Sequence, residues 1–344
     1  MAQIKKLFDV KRVPLHEVLP LDAPFMVRIE VANYCNSRCK FCYYSHESDS
    51  SQKNKNIPRL MSDETFELLI KQLQQFPSNI KAVGIDGVGE PLLHPKLPYF
   101  IERLKKEAGI EKISINTNGF NLSEKLSLEL IEAGLDSIKV SVNGLSSKMY
   151  KENCGVDMDF DKFKKQIAFF HKNKKRATIA CKILDCCFDE GESEEDFFNI
   201  FGDICDEMDI EKTVSVFERG GIDYSAVIVG EDAKQVISRY ELRRNRIKVC
   251  PSPFFRMCML VSGEVLICRF FMGITTPNMD IRKQTLLEIW NGEERKILLQ
   301  GVLRGEESGL LENCKNCTFK DDLAFDADLL DDHADEIYKR ISNS

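Results

Sequence analysis

Apolar runs rich in β-branched residues alternate with amphipathic stretches from about residue 25 to residue 217. We count six such pairs, and this alternation is typical of parallel strands that are each followed by a helix. The predicted strands cover residues 25–32, 80–86, 112–117, 136–142, 177–184 and 211–217. The pattern therefore predicts an α/β fold whose sheet is parallel.

Capping residues stand where the helical stretches begin. Ser62, Ser123 and Ser193 each precede an amphipathic run, and a serine side chain at this position accepts a hydrogen bond from the first helical turn. Gly134 follows the second of these runs, as expected of a helix C-cap. Because ligands gather at the carboxyl ends of parallel strands in such folds, we expect the functional residues in the loops that follow the six strands.

The alternation stops after about residue 222. A short polar helix, a cysteine-bearing β-hairpin, a helix around residues 286–299 and a final pair of cysteines follow. This change predicts a second domain. We divide the chain into an N-terminal extension (1–24), a core domain (25–222), a linker helix (223–249), a small cysteine-rich domain (250–320) and an acidic C-terminal helix (321–344).

Composition narrows the classes of function. The chain has 344 residues, 43% of them hydrophobic, and a formal net charge of −7. This charge argues against nucleic acid as the main partner. No run is apolar enough for a membrane span and the first residues lack a signal peptide, so we expect no membrane contact and a cytoplasmic protein. In that compartment the thirteen cysteines favour metal or redox roles over disulfides.

Three of these cysteines form a compact array after the first predicted strand. Cys35, Cys39 and Cys42 stand in a C-x3-C-x2-C spacing. Three thiolates on one short loop can hold three irons of a [4Fe–4S] cluster and leave the fourth iron open to another ligand. A zinc site, for which His46 is the nearest fourth ligand, or a set of buried thiols are the alternatives.

The array and three later motifs resemble the radical SAM superfamily, whose members use S-adenosylmethionine (SAM). CNSRCKFC, with Phe41 before its last cysteine, resembles the signature of that family, and DGVGEPLLHP resembles its glycine-glutamate motif. NTNGF and SVNG follow the third and fourth strands, where the family contacts SAM. The resemblance implies that the cofactor is bound by Phe41, Gly87, Gly89, Glu90, Pro91, Thr117, Asn118, Ser141 and Asn143.

This resemblance also implies a fold and a chemistry. The fold is a partial (β/α)6 TIM-like barrel over residues 25–220. The cluster, held by Cys35, Cys39 and Cys42, gives one electron to SAM, and the 5′-deoxyadenosyl radical so formed abstracts hydrogen from a small substrate. A flavodoxin or ferredoxin is the implied electron donor.

A second cysteine set follows in the C-terminal domain. Cys250, Cys268, Cys314 and Cys317 have the spacing C-x17-C-x45-C-x2-C. This segment resembles the SPASM/Twitch extension of radical SAM enzymes, in which such cysteines hold an auxiliary [4Fe–4S] cluster. No cysteine follows Cys317, which favours the shorter Twitch form with one such cluster. A structural zinc is the alternative, since four thiolates suit zinc equally well.

An auxiliary cluster with four protein ligands can accept an electron from a substrate radical, as the oxidation of an alcohol to a ketone requires. The arrangement resembles 2-deoxy-scyllo-inosamine dehydrogenase-type enzymes, which act on carbohydrate-like alcohols, and we expect this chemistry. Epimerases and peptide-modifying maturases share the architecture, so the reaction rests on analogy. A non-enzymatic iron–sulfur or zinc sensor is a further alternative, although it leaves the SAM motifs unexplained.

Several other residues are candidates near the strand ends. Arg219 follows the sixth predicted strand and is expected to bind or deprotonate a substrate hydroxyl, or else to form a salt bridge. Lys182 follows the alternation of the fifth strand and is expected inside the barrel beside SAM, or else in solvent. Cys181, Cys186 and Cys187 lie around the end of that strand. One of them could return hydrogen in an epimerase, although buried thiols behave mostly as small apolar residues.

Overall fold

The computed structural model describes residues 2–4, 12–42, 45, 58–212, 247–268, 278–305, 320 and 325–343. Its strands form one sheet: β1 Gln3–Ile4, β2 Met26–Ile29, β3 Ala82–Ile85, β4 Lys112–Thr117, β5 Ser137–Val142, β6 Thr178–Leu184, β7 Glu207–Glu211, β8 Arg256–Met259 and β9 Val265–Leu266. Their order is β1-β7-β6-β5-β4-β3-β2-β8-β9. All pairs are parallel except β8 with β9.

Strands β2 to β7 are neighbours in the same order as in the chain. Parallel crossovers are nearly always right-handed, so an uninterrupted order of this kind places all connecting helices on one face of the sheet. The helices are α1 Leu15–Val18, α2 Asp63–Leu73, α3 Leu97–Lys106, α4 Glu124–Glu132, α5 Ser147–Cys154, α6 Phe160–Asn173, α7 Glu194–Phe201, α8 Ser252–Phe255, α9 Leu286–Asn291, α10 Glu293–Arg304 and α11 Ala334–Asn343. The parallel α/β core that we predicted is confirmed.

Five predicted strands overlap with β2 to β6. The sixth was expected at 211–217, of which residues 213–217 lie outside the described residues; β7 runs over Glu207–Glu211, so its first four residues were not predicted. The acidic residues of β7 explain why they were not. Asp209 and Glu211 are each only 2% exposed. Buried strands are recognised in a sequence by their apolar residues, so a strand that buries carboxylates is not recognised.

The predicted helix caps are confirmed. Ser62, Ser123 and Ser193 each accept a backbone N–H of the first helical turn, and Ser193 forms a reciprocal capping box with Asp196. Gly134 has φ +89° and follows the C-cap residue of α4, a position that favours glycine because a side chain is strained there. Local sequence therefore determines where these helices begin and end.

The two faces of the parallel sheet differ in polarity. One face carries Ile and Val side chains, among them Ile115, Val140 and Ile179, which are fully buried in one hydrophobic core with residues of the helices. The face that carries the alternate residues, which we call the polar face, presents Arg28, Asp86, Asn116, Lys139, Lys182 and Glu211. Parallel sheets with both faces covered by helices are apolar on both, so the polar face is the side available to a ligand.

The C-terminal segment extends the sheet and packs on the core. β8 pairs with β2 in parallel and with β9 in antiparallel register, which confirms the predicted hairpin and adds it to the edge of the core sheet. The indole N–H of Trp290 donates to the carbonyl of Leu21 at 2.8 Å. None of the helices within the described ranges is long and apolar enough to cross a bilayer.

Candidate active site

The cysteine array lies in the loop that follows β2, at the carboxyl end of the sheet. Its backbone is bound to the last turn of α5, because Arg38 N donates to Cys154 O at 2.8 Å and Lys40 N donates to Asn153 O at 2.9 Å. Cys39 is buried, whereas Cys35 and Cys42 are half-buried. No disulfide involves these three cysteines within the described part of the chain, so their thiols can serve as ligands.

Hydrogen-bond donors surround two of the three sulfurs. Asn118 Nδ2 lies 3.6 Å from Cys35 Sγ and Asn143 Nδ2 lies 3.8 Å from Cys39 Sγ. The Ser37 hydroxyl lies between them, 3.2 Å from Cys35 Sγ and 3.5 Å from Cys39 Sγ. An amide N–H can only donate, and donors to sulfur stabilise the thiolate that ligates iron. The donor set therefore fits the expected cluster.

The surroundings of these thiols oppose ionisation while no cation is bound. Burial raises the pKa of Cys35. The hydrogen bond with Cys154, followed by burial, raises the pKa of Cys39 well above its usual value. Metal binding requires deprotonated cysteines and releases their protons, so the energy that creates the thiolates has to come from the bond to iron.

The glycine-glutamate motif forms the loop after β3 and packs directly on the cysteine loop. A Cβ on Gly89 would lie 2.3 Å from Ala32 O and 2.6 Å from Tyr34 N, and one on Gly87 would lie 2.6 Å from Glu30 Cγ. Both positions thus favour glycine because of close approach within the protein. Contact of these two residues with SAM stays a prediction.

The carboxylate of Glu90 is 3% exposed and points into the protein. Its oxygens accept from Leu92 N at 2.9 Å, Thr117 Oγ1 at 2.6 Å and Asn118 N at 2.8 Å. The Thr117 hydroxyl also accepts from Gly119 N at 2.9 Å, so both Glu90 and Thr117 hold the loops together. Pro91 begins a 3₁₀ turn at Pro91–Leu93. Glu90, Pro91 and Thr117 therefore determine the shape of the loops around the site.

The other predicted cofactor residues lie around the same end of the sheet. Ser141 is near the carboxyl end of β5 and half-buried, Phe41 is half-buried on the cysteine loop, and Asn143 is 5% exposed. Lys182 is on the polar face, where its Nζ lies 3.1 and 3.2 Å from the carboxylate oxygens of Glu211; its contact with SAM stays a prediction. This ion pair was not foreseen.

The polar face carries two charged pairs, Arg28 with Asp86 and Lys182 with Glu211, and Lys139 lies on a strand between them. Arg28 holds Asp86 through two hydrogen bonds, from Nε at 2.9 Å and from Nη2, and Asn116 Nδ2 donates to Asp86 at 3.0 Å. Burial, followed by the charge of Lys182, lowers the pKa of Lys139 to about 8. A lysine with such a pKa can exchange a proton near neutrality.

The hairpin brings its own residues to this face. Arg256 is the first residue of β8 and pairs in register with Met26 of β2, while Cys258 pairs with Arg28. Burial lowers the pKa of Arg256, whose charged or ionisable neighbours include Arg28, Cys258, Asp86, Cys268 and Asp328. Leu266 of β9 pairs in register with Cys258, and Cys268 follows Leu266 by two residues. The predicted residues Arg219, Cys314 and Cys317 lie outside the described residues.

Two residues of the site escaped the sequence prediction. Cys154 Sγ lies 3.4 Å from Cys39 Sγ, although 115 residues separate them in the chain. Lys139 lies between two buried residues of β5, and a lysine at an inward position of a strand was the available signal. Cys181 is fully buried on the apolar face, and Cys187 is buried in a 3₁₀ turn, so they behave as core residues.

Comparisons with curated proteins give partial matches. The chain is 34% identical over 132 residues to the probable GTP 3',8-cyclase of Sulfolobus acidocaldarius, which is 38% of each protein. It is 31% identical over 153 residues to the GTP 3',8-cyclase of Limosilactobacillus fermentum, or 43% of this chain and 40% of that protein. The chain thus spans about two fifths of the length of these relatives.

Solved structures share the fold over most of the chain. Streptococcus suis SuiB bound to S-adenosylmethionine has a TM-score of 0.59 at 17% identity and covers 89% of this chain and 74% of its own. anSMEcpe with bound AdoMet has a TM-score of 0.56 at 17% identity, with 92% and 98% covered. BtrN in complex with AdoMet and 2-DOIA has a TM-score of 0.50 at 18% identity, with 85% and 92% covered.

Two family profiles match the sequence itself. The SPASM iron–sulfur cluster-binding domain matches residues 250–318, which implies auxiliary iron–sulfur binding. The radical SAM superfamily matches residues 29–203, just over half of the chain. This protein is therefore an enzyme of the radical SAM superfamily, whose cofactors are a [4Fe–4S] cluster and SAM.

Proposed function

We propose that this enzyme oxidises a small carbohydrate-like alcohol to a ketone, with an auxiliary cluster as acceptor of the second electron. A flavodoxin or ferredoxin supplies the first electron. The observation that carries the proposal is the register of the β8–β9 hairpin, which places Arg256 and Cys258 beside Arg28 on the polar face and pairs Cys258 with Leu266, two residues before Cys268. An auxiliary cluster at Cys268 is then close to a substrate bound on the polar face.

The proposal assigns the SAM-binding cluster to Cys35, Cys39 and Cys42, and the auxiliary cluster to Cys250, Cys268, Cys314 and Cys317. When bound, the first cluster and SAM supply a one-electron-driven hydrogen abstraction, and the auxiliary cluster supplies an electron acceptor. Asn118 and Asn143 orient the thiolates through their amide N–H groups. Gly89 allows the glycine-glutamate loop to lie against the cysteine loop.

The polar face suits a hydroxyl-rich substrate. Its side chains include both hydrogen-bond donors and acceptors, and several are already ion-paired with one another, so a neutral polar molecule can bind without burying a net charge. Oxidation of an alcohol releases the hydroxyl proton. Lys139 is the described residue best suited to accept it, because its pKa is lowered to about 8; Arg219 stays our prediction for contact with the hydroxyl.

The proposal is tested by anaerobic reconstitution followed by assays for SAM cleavage and for substrate oxidation. We expect about eight irons per chain, from two four-iron clusters, and 5′-deoxyadenosine when the protein is reduced. Cys39→Ala should abolish SAM cleavage, whereas Cys268→Ala should retain cleavage and lose ketone formation across a panel of polyols and aminocyclitols. Equal loss of cleavage in both variants would contradict the electron-acceptor role.

The relatives named as GTP 3',8-cyclases favour a second candidate, a radical cyclisation of a purine nucleotide. The 34% identity supports this candidate. The support is limited because the match spans only about two fifths of the length of those relatives. GTP in the same assay separates the candidates: consumption of GTP with a cyclised product and no ketone from any polyol would replace our proposal.

A further inference from the structure

A fourth cysteine lies against the SAM-cluster loop. Cys154 is the last residue of α5, it is 0% exposed, and its Sγ lies 3.4 Å from Cys39 Sγ. The backbone holds this contact in place, because Cys154 O accepts from Arg38 N at 2.8 Å and Asn153 O accepts from Lys40 N at 2.9 Å. The helix end and the cysteine loop thus form one hydrogen-bonded unit.

We infer that Cys154 is a positioning residue whose S–H donates a hydrogen bond to the Cys39 thiolate of the bound cluster and favours the reduced cluster. The inference rests on the proposed ligand role of Cys39. In the structure the Cys39 thiol donates to Cys154 Sγ; a Cys39 thiolate bound to iron has no proton to donate, so the same contact then requires Cys154 as its donor. Asn143 Nδ2 lies 3.8 Å from the Cys39 sulfur and is a second donor to that thiolate. Hydrogen bonds to cluster sulfurs are one of the factors that set the reduction potential, because they stabilise the added negative charge.

Two other roles for Cys154 predict different results. As a fourth iron ligand, it would occupy the open coordination position, and no variant without sulfur could replace it. As an inert filler of a buried space, it would affect packing and leave the potential unchanged. Cys154→Ser distinguishes these two roles from the inferred role as a hydrogen-bond donor, because a serine hydroxyl can still donate but is a poor iron ligand.

The experiment is an EPR-monitored redox titration of the reconstituted protein with three variants. Cys154→Ala removes the donor and Cys154→Ser keeps one. Cys205→Ala is the matched control, because Cys205 is also a buried thiol but its Sγ bonds to Phe201 O at 3.2 Å, away from the cysteine loop. Iron content and thermal unfolding are measured on each variant to establish that it is loaded and folded.

We expect Cys154→Ala to lower the ratio of reduced to oxidised SAM cluster about tenfold at a fixed potential, ~59 mV for a one-electron couple. Cys154→Ser should lie near the wild type, and Cys205→Ala should equal it. An unchanged potential in Cys154→Ala overturns the inference and leaves the proposed function intact. Loss of the cluster in both Cys154 variants overturns it in favour of a ligand or packing role, and a wild-type protein that takes up no cluster overturns both proposals.

Discussion

The carboxylate of Glu90 accepts the backbone N–H of Asn118 at 2.8 Å, and this bond joins the loop after β3 to the loop after β4. The side chain of Asn118 in turn reaches Cys35 Sγ at 3.6 Å. Burial raises the pKa of Glu90 to about 7, although its three hydrogen bonds act in the opposite direction. A buried carboxyl group therefore fixes the distance between the glycine-glutamate motif and a donor to the cluster ligand.

We expect the contribution of Glu90 to stability to depend on pH. Its folded pKa of about 7 lies above the reference value of 4.5, so the protonated form is favoured by folding. The associated stability is complete below pH 4.5 and is lost as the pH rises through 7. In cluster-free protein, the free energy of unfolding of wild type relative to Glu90→Gln should fall by about 1–3 kcal/mol between pH 5 and pH 8.

Urea denaturation of both proteins at the two pH values measures this difference. Glu102→Gln is the control, because Glu102 lies in an exposed ion pair of α3 and its replacement should give the same difference from wild type at both pH values to within a few tenths of a kcal/mol. A difference for Glu90→Gln that does not change with pH would show that the buried carboxyl keeps an ordinary pKa.

Gly89→Ala should displace the cysteine loop. The added methyl group would lie 2.3 Å from Ala32 O and 2.6 Å from Tyr34 N, and backbone atoms cannot move aside as a side chain can. Overpacking of this kind costs about 1–3 kcal/mol, and we expect lower iron uptake as well. Gly84→Ala is the matched control, since its methyl group would have contacts of 3.8–4.0 Å on the polar face of β3. The measurement is the iron content of each variant after reconstitution. Equal iron uptake by both variants would contradict the close approach of the residue-89 loop to the cysteine loop.

Replacement by methionine should change the stability of the protein differently at the two lysines of the polar face. Lys182→Met removes the cation that lies 3.1 Å from the buried carboxylate of Glu211. This should destabilise the protein by about 1–3 kcal/mol, less than for a fully buried pair because Lys182 is partly exposed. Lys139→Met removes a charge that burial and Lys182 disfavour, so stability should be equal or higher while ketone formation is lost.

The pH dependence of Lys139 has a definite sign. Its folded pKa of about 8 lies below the reference value of 10.5, so the unfolded chain binds more protons between these values. The stability deficit caused by Lys139 is present below pH 8 and is relieved as the pH rises towards 10.5. Thermal unfolding at pH 7.5 and 10 should show the advantage of Lys139→Met shrinking at the higher pH; an advantage that grows would contradict the lowered pKa.

The parts of the fold that local sequence determines were predictable. Strands β2 to β6 follow from runs of apolar residues, and the caps at Ser62, Ser123 and Ser193 follow from the chemistry of the serine hydroxyl. The cysteine loop was predicted because its three cysteines are close in sequence. Each of these features depends on residues within one element and the turn beside it.

The features that were missed depend on contacts between distant segments. The strand character of residues 207–210 was not predicted because acidic residues such as Asp209 are buried on a polar face, which only the assembled sheet creates. The pairing of β8 with β2 joins segments about 230 residues apart, as the register of Met26 with Arg256 shows. The contact of Cys154 with Cys39 likewise requires α5 to end beside the cysteine loop, and nothing in the sequence around Cys154 indicates that position.

Gln72 of α2 connects the core to the C-terminal segment, and its loss should separate two activities. Its side-chain N–H donates to Ile281 O at 2.8 Å and its oxygen accepts from Leu286 N at 2.9 Å. Gln72→Leu deprives both buried backbone groups of this partner, at a cost of about 2–4 kcal/mol. Gln74→Leu is the control, because the side chain of the exposed Gln74 donates to Glu107 O at 2.9 Å and has no contact with the C-terminal segment among the described hydrogen bonds. Since the cysteine loop is untouched, Gln72→Leu should retain SAM cleavage and lower ketone formation, and a parallel loss of both would mean that α2 supports the SAM site as well.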